Sequence, residues 1–539
     1  VYQSELPSLE GFVLPAFPDR LLGRFPIEQA RLRPDAPALE FSAENTRWTY
    51  GEFVRDAAAL ADGFRSLGLV PGDRLGIMMP NRSEYVLAWF ASLFCGMVDV
   101  GLNHGVGPAM LTHQLRIAGV KAVVCDRESF AALVAAAPEV TSLELLIPVD
   151  EVDRTAATTL RTVRFDRLGG SSAEPTFDFG SPTDITSIRY TSGTTGPAKA
   201  VASTNSQKSV STSMFAQLMG YTPTDKLYTC FPLHHSMASM MGVVASFQAG
   251  GCCVVDDRFS ASRYWSRIEQ VGATLGHVMT PMLPMLLSQP PSASDQGHQC
   301  RRLWTASPHP EFESRFSVTL QAHYSMSEVS PVAFPRVGGP NKLGSSGQIG
   351  PLYDVRIVDE TEHPVAVGQR GEILLRPLFP HTIFAGYYGN EAETAAVLRG
   401  LWYHTGDEGF VDEDGYLFLV GRMGDQIRRR GVNISAQDIE DAARRHPQVQ
   451  EAAAIAVASE VGESEVKVFL IPRQSPPPSA EDILAFFAGE LPREMIPRYL
   501  EWRDELPRTP TNKISKLELK QARAGAVIHD LHALRQRRG

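Results

Sequence analysis

The chain has 539 residues, 43% of them hydrophobic and 21% charged, with a net charge of −10. That length exceeds one compact core, so more than one domain is expected, in a protein of ordinary soluble composition. The negative balance argues against a general nucleic-acid or membrane-surface binder, and any polyanionic ligand must be met by local clusters of cations.

No uninterrupted apolar run reaches the length of a membrane span, and the opening residues do not have the pattern expected of a signal peptide. The cysteines at 95, 125, 230, 252, 253 and 300 show no C-x-x-C spacing. Reduced core thiols in a cytoplasmic protein are the expectation.

A helical pattern runs from Arg24 to Arg33 and stops at Pro34, and Trp48 to Glu52 opens an amphipathic helix with Tyr50, Phe53, Ala57 and Leu60 on one stripe. Strand (Arg74 to Met79), helix (Glu84 to Cys95) and an apolar stretch (Met97 to Leu102) then form a parallel crossover unit. Helix Met110 to Ala118, strand Ala122 to Cys125, an Ala-rich helix near 130 and the apolar Leu143 to Val149 continue the alternation. This is the pattern of an α/β sheet with helices on both faces. The polar segment from Arg154 to Pro182 reads as a surface connection.

It leads into Ile188-Arg-Tyr-Thr-Ser-Gly-Thr-Thr-Gly-Pro-Ala-Lys-Ala-Val201, the densest anion-binding chemistry in the chain. Small residues let backbone N–H groups approach an anion, the hydroxyls of Thr191, Ser192, Thr194 and Thr195 add neutral donors between Gly193 and Gly196, and Lys199 adds charge. It is not the pattern G-x-x-x-x-G-K-S/T, because Pro197 and Ala198 separate Gly196 from Lys199, which disfavours kinase and GTPase architectures. Taken alone, an ordinary hydroxyl-rich turn is the alternative.

A helix from Gln207 to Leu218 precedes Lys226-Leu-Tyr-Thr-Cys-Phe-Pro-Leu-His-His235. Ser236, Met237, Ser239 and Met240 then start a helix whose hydroxyls and thioethers make an adaptable uncharged wall, unless the methionines are simply core. Two further α/β units occupy Gly251 to Leu287, followed by a loop to Gln299 and a strand and turn through Ala306-Ser307-Pro308. In His323-Tyr324-Ser325-Met326-Ser327-Glu328, a tyrosine face can stack on a purine, a hydroxyl can reach a phosphate and a carboxylate can hold Mg²⁺.

Period-two segments between Gly344 and Arg376 predict a small antiparallel β subdomain. Trp402-Tyr-His-Thr-Gly-Asp407 and Asp414-Gly-Tyr-Leu-Phe-Leu-Val-Gly-Arg422 follow; Asp407 after a glycine turn suits a ribose diol, and Arg422 suits ribose or phosphate. Beyond Arg422 the pattern is short α+β, with a helix at 437–445, strands at 453–458 and 467–471 and a helix at 481–490. Pro507-Arg-Thr-Pro-Thr-Asn-Lys513-Ile closes the set.

Taken together these motifs resemble the adenylate-forming superfamily of acyl-CoA synthetases, peptide-synthetase adenylation domains and luciferases. The resemblance runs from Trp48 to Lys513, and segments 259–294 and 381–450 are most similar to carnitine- and crotonobetaine-type CoA ligases. The chain departs from the family loop T-S-G-T-T-G-x-P-K-G at 197, 198 and 200, from Y-G-x-T-E at 325 and 327, and from Gly-Ala-Pro at 306–308.

The resemblance implies an N-terminal adenylate-forming domain (1–422) of doubly wound sheets plus the β subdomain, and a small mobile α+β domain (423–539) turning about Gly424. ATP would be held by 191–196, Lys199, Ser307, Tyr324 to Ser327, Asp407 and Arg422, with Mg²⁺ on Glu328 and Lys513 as the adenylation lysine. His235, with Ser236, Met237 and Met240, would face the acyl pocket. Arg189 either reaches solvent from its strand end or places a positive charge in that pocket. The expected reaction is ATP-dependent activation of a small or medium carboxylic acid and its transfer to CoA, with Arg428 to Arg430 and Arg535 to Arg538 available to CoA phosphates.

Two alternatives share these motifs: loading of a carrier-protein thiol, and activation of nitrite for diazotisation of an aromatic amine. An α-amino acid substrate is disfavoured because no Asp stands between 231 and 240. A catalytically silent binding protein of this fold is disfavoured by the presence of Lys513, Asp407 and Glu328.

Overall fold

The computed structural model describes residues 12–152, 160–169, 176–190, 198–280, 282–305, 308–335, 342–423, 426–429, 432–458, 464–492, 495–509, 513–521 and 528–531. The loop residues 191–196, Ser307, Gly424, Arg430 and the terminal arginines therefore lie outside the described residues, as does the Arg428 side chain.

Local chemistry sets the helix starts. Thr49 accepts from the Glu52 amide while the Glu52 carboxylate accepts from the Thr49 amide, a capping box that begins the helix Tyr50–Ser66. Its buried stripe includes Tyr50, Phe53, Ala57 and Leu60, as the spacing predicts.

An eight-stranded sheet runs through Gly386–Tyr387, Ala200–Thr204, Ile185–Tyr190, Val98–Gly101, Arg74–Met78, Ala122–Cys125, Leu145–Pro148 and Arg161–Thr162. A seven-stranded sheet runs through Thr319–Gln321, Arg302–Trp304, Leu275–His277, Lys226–Thr229, Cys252–Val255, Pro37–Phe41 and Thr46–Thr49. The largest apolar core joins them: Leu75, Ile77 and Val124 from one sheet and Leu39, Leu227 and Cys253 from the other pack with Phe53, Phe90 and Phe247 of intervening helices. Each sheet also carries helices on its outer face, around Leu111 and Phe130 for one and Trp265 and Phe312 for the other. This layering is the α/β arrangement expected from alternating strands and helices.

The six cysteines are free and buried. No described helix is long and apolar enough to cross a membrane.

The antiparallel β unit is larger than the periodicity predicts. Tyr353–Val358, Gly371–Pro377 and Trp402–Val411 form its spine, Leu398–Arg399 lies at one edge, and Leu417–Arg422 pairs with Trp402–Val411. A separate apolar core, from Ile427 to Leu531, belongs to the smaller C-terminal domain, where Val449–Ala458, Ser464–Pro472, Tyr499–Trp502 and Ile528–Asp530 form one sheet with the helices Ala436–Arg444 and Ala480–Glu490.

Two expectations change. The polar segment at 154–182 is not purely a surface connection: Arg161–Thr162 extends the eight-stranded sheet, and Phe177 and Phe179 pack edge-on against Phe94 at 5.0 and 6.2 Å. Two aromatic anchors outweigh the polar composition around them. Nor does Arg189 reach solvent. It is 4% exposed and ion-paired with Asp99, which is fully buried on the neighbouring parallel strand. An Arg at a strand end is buried only where a carboxylate meets it, and Asp99 is that partner.

Gly101 makes room for this pair. It stands in register with Arg189, and a Cβ there would come within 3.0 Å of Arg189 Nε and 3.1 Å of Cδ. Gly101→Ala is expected to displace the guanidinium and cost about 1–3 kcal/mol of stability, the range for overpacking. Thermal unfolding measures this, and a midpoint equal to wild type contradicts the packing described.

Candidate active site

The hairpin of the β unit builds one end of the cleft. Asp407 and Arg422 are cross-strand partners, and Arg422 Nε lies 2.8 Å from Asp407 Oδ1. Tyr324 donates its hydroxyl to Asp407 Oδ2 at 2.7 Å, so both carboxylate oxygens are oriented. A carboxylate has roughly four lone-pair directions, which leaves acceptor capacity for a diol. Burial raises the Asp407 pKa despite Arg422 and the Tyr324 hydrogen bond.

Sequence reasoning missed what holds this turn. Glu372 accepts from the Gly406 amide at 3.1 Å and contacts His404 Nδ1 at 3.0 Å, while Thr405 Oγ1 donates to Ile373 O at 2.7 Å. Gly406 has φ +67°, which favours glycine. The available signal was the Gly-Glu of Gly371–Pro377, a carboxylate opening a strand.

Ser325, Met326 and Ser327 are half-buried beside the buried Tyr324. The Glu328 backbone carbonyl accepts from the Gln207 side chain at 2.9 Å and from the Phe384 amide at 2.7 Å, and Tyr387 donates to its Oε1 at 3.0 Å. Burial raises its pKa, with Tyr387, Arg422 and Lys199 acting in the opposite sense. Lys199 is ion-paired with Glu393 and lies 4.9 Å over the Tyr387 ring. Tyr387 thus links Lys199 to Glu328. The Gly-Tyr-Tyr-Gly run at 386–389 carried that signal, and sequence reasoning passed over it.

At the other end, His235 is half-buried and caps the short helix Ser236–Ala238: its Nδ1 accepts from the Met237 amide at 3.3 Å, which leaves the proton on Nε2. Burial, followed by the charges of Lys513, Arg189 and Lys208, lowers its pKa to about 4, so the ring is neutral near pH 7. Ser236 is half-buried, whereas Met237 at 9% and Met240 at 2% exposure belong to the core, Met240 in a π-helical turn Ser239–Val244. Met237 and Met240 both pack in the largest apolar core, as the core reading has it.

Lys513 arrives from the C-terminal domain. Its backbone is fixed by Thr509, whose amide donates to Lys513 O at 2.7 Å and whose hydroxyl accepts from the Lys513 amide at 3.2 Å. The side chain stays solvent-accessible, yet it lies close enough to feel Arg422, Asp407 and His235. Its pKa is lowered by desolvation and then Arg422, and raised in part by Asp407; contact with water moderates the shift. Asp407, Arg422, Glu328, His235 and Lys513 therefore meet in one cleft.

Three further histidines, His234, His277 and His323, are held neutral by burial. His323 donates from Nδ1 to Thr305 O at 2.7 Å and accepts at Nε2 from Trp304 Nε1 at 3.2 Å, so a second proton would break the Trp304 bond. Burial lowers its pKa to about 4, and lowers those of His234 and His277 to about 3. Unfolded imidazoles take protons below about pH 6.5 while these do not, so the unfolded state binds more protons and stability falls from about pH 6.5 toward pH 4. Asp407 and Glu328, raised by burial, oppose this from the carboxylate side. Histidine-labelled NMR should show His234, His235, His277 and His323 without titration between about pH 7 and pH 5; a chemical-shift midpoint near 6.5 for His323 contradicts the bonding described.

The sequence profile of AMP-binding enzymes matches residues 27–388, and that of the AMP-binding enzyme C-terminal domain matches 438–513. A crotonobetaine/carnitine–CoA ligase of Escherichia coli is 27% identical over 497 residues, 88% of this chain and 93% of that protein. Solved structures share the fold, two of them as follows. The anthranilate CoA ligase AuaEII with anthranoyl-AMP aligns at TM-score 0.83 and 22% identity, covering 94% of this chain and 98% of that one. ATP-bound MatB from Rhodopseudomonas palustris aligns at TM-score 0.81 and 23% identity, covering 93% and 98%. With the first profile spanning well over half of its length, the chain belongs to the AMP-binding enzyme family.

Proposed function

We propose that the protein activates a small or medium polar or aromatic carboxylic acid with ATP as an acyl-adenylate and transfers the acyl group to the thiol of CoA. The enzyme class is that of its family and relatives, an AMP-forming acid–thiol ligase. The observation that carries the mechanism is the meeting of Lys513, from the C-terminal domain, with Arg422, Asp407 and His235.

In the proposed reaction Asp407 accepts from the ribose hydroxyls, and Tyr324 and Arg422 fix the carboxylate that does so. A substrate carboxylate oxygen attacks the α-phosphorus and pyrophosphate leaves. Lys513, Arg422, Lys199 and the loop 191–196 offset charge on the phosphates, while the hydroxyl of Ser327 donates nearby. The cleft fits a divalent cation: Tyr387 holds one Glu328 oxygen, and no described side chain hydrogen-bonds the other. Mg²⁺ bound there would neutralise phosphate charge. Neutral His235 donates from Nε2 toward the acyl oxygen.

The thiol of CoA then attacks the acyl carbonyl and AMP leaves. We divide the chain at 422/423 and assign Gly424 as the pivot about which the C-terminal domain withdraws Lys513 for this step. A second reading, activation of nitrite for transfer to an aromatic amine, is favoured by one observation: Arg189 and Lys208, both buried, carry positive charge close to His235. Pyrophosphate release across a panel of carboxylates and nitrite, with and without CoA, separates the two. CoA-dependent turnover with a thioester product is expected; consumption that needs nitrite and an aryl amine and ignores CoA overturns the ligase reading.

Lys513→Ala is expected to slow adenylation by of order 10²-fold or more, the loss of one preorganised charge, while a supplied acyl-adenylate is still converted to thioester. Equal loss of both half-reactions in folded protein contradicts the role. Asp407→Ala should weaken ATP by about 1.5–3 kcal/mol and 2′-deoxy-ATP by less. Identical losses for the two nucleotides would remove Asp407 from the ribose.

A further inference from the structure

Lys208 has a position that folding alone disfavours. It is 5% exposed, one turn into the helix Asn205–Met219, near the end where the helix dipole already places positive charge. That helix is buried almost all round, and its start is pinned to the cleft by Gln207, which donates to the Glu328 backbone carbonyl at 2.9 Å. Among the described residues no hydrogen bond or ion pair reaches the Lys208 ammonium.

Its charged surroundings are Arg189 on the strand Ile185–Tyr190, Glu328 after the strand Tyr324–Met326, and the His235 ring. Arg189 is already matched by Asp99, and Glu328 acts on Lys208 without coming within ion-pair distance. His234, which feels both Arg189 and His235, has a buried Nε2 with no partner among the described residues. Burial and the Arg189 charge lower the Lys208 pKa to about 8, which still leaves an ammonium near pH 7. A buried, unmatched cation is costly to keep, and an alkyl acyl chain seated there would leave it uncompensated. The reacting carboxylate and the phosphates already have Lys513, Arg422 and Lys199.

We propose that Lys208 is a specificity-determining residue that holds a second anionic group on the acyl portion of the substrate, so that the acid accepted is a diacid or an equivalent dianion. This rests on the acid-activating reading of the cleft.

Binding tests it without turnover. Calorimetric titration of the full chain in the presence of AMP compares the matched pairs benzoate and terephthalate, and propionate and succinate. Wild type is expected to favour the dianion of at least one pair by about tenfold or more, Lys208→Met to lose that preference, and Lys208→Arg to retain most of it, with AMP affinity unchanged throughout. Wild type with no preference for a dianion, or Lys208→Met with the preference intact, overturns the proposal. Pyrophosphate release on the same acids separates this from the parent reading: preference without release from any acid removes the acid-activating function and leaves the anion site, and release without preference does the reverse.

Discussion

A chain with net charge −10 meets an anion only where its fold gathers cations, and here three of the gathered cations are each held by a fixed carboxylate. Arg422 is held by its cross-strand neighbour Asp407, Lys199 by Glu393, and Arg189 by Asp99 on the adjoining strand. None of these pairs is close in sequence except by way of a hairpin. The eight-stranded sheet, the helix Glu391–Val397 and the β unit supply these pairs and the C-terminal domain adds Lys513, so the electrostatic site exists only once all of them have packed.

Burial decides the protonation states in that site. It raises the carboxyls of Asp407 and Glu328 and lowers the imidazoles of His234 and His235, in each case favouring the neutral form. The guanidinium of Arg422 and the ammonium of Lys199 act against burial at Glu328. Bound phosphates and a cation would change the two carboxyls together, because Arg422 acts on both Asp407 and Glu328. A cleft of this kind is preorganised for charge that arrives with the substrate.

Much of the fold was legible because it is local. The alternation of strand and helix from Arg74 to Pro148, the capping box at Thr49 and Glu52, and the T-G-D turn are written in consecutive residues. What was not legible is tertiary. The burial of Arg189 needs Asp99, ninety positions away on a parallel strand, and no periodicity pairs them. Glu372 and Tyr387 act through contacts with Gly406 and Glu328 that only the packed sheets create. Lys208 escaped notice because its helix is buried all round, so the polar residues of Asn205-Ser-Gln-Lys lack the one-sided pattern that marks a core face. Met240 was read both ways, and it packs in the largest apolar core. The motif residues outside the described part of the chain, 191–196, Ser307 and Gly424, retain only their sequence reading.

In the reaction proposed, a carboxylate oxygen attacks the α-phosphorus of ATP in this cleft. The most direct test supplies ATP, CoA and a turning-over acid whose carboxylate carries heavy oxygen, and weighs the AMP released. Attack at phosphorus followed by thiol attack at carbon moves one labelled oxygen into AMP, and that is the predicted mass. AMP released without label, with the heavy oxygen retained in the acid or passed to another phosphate, contradicts adenylate formation.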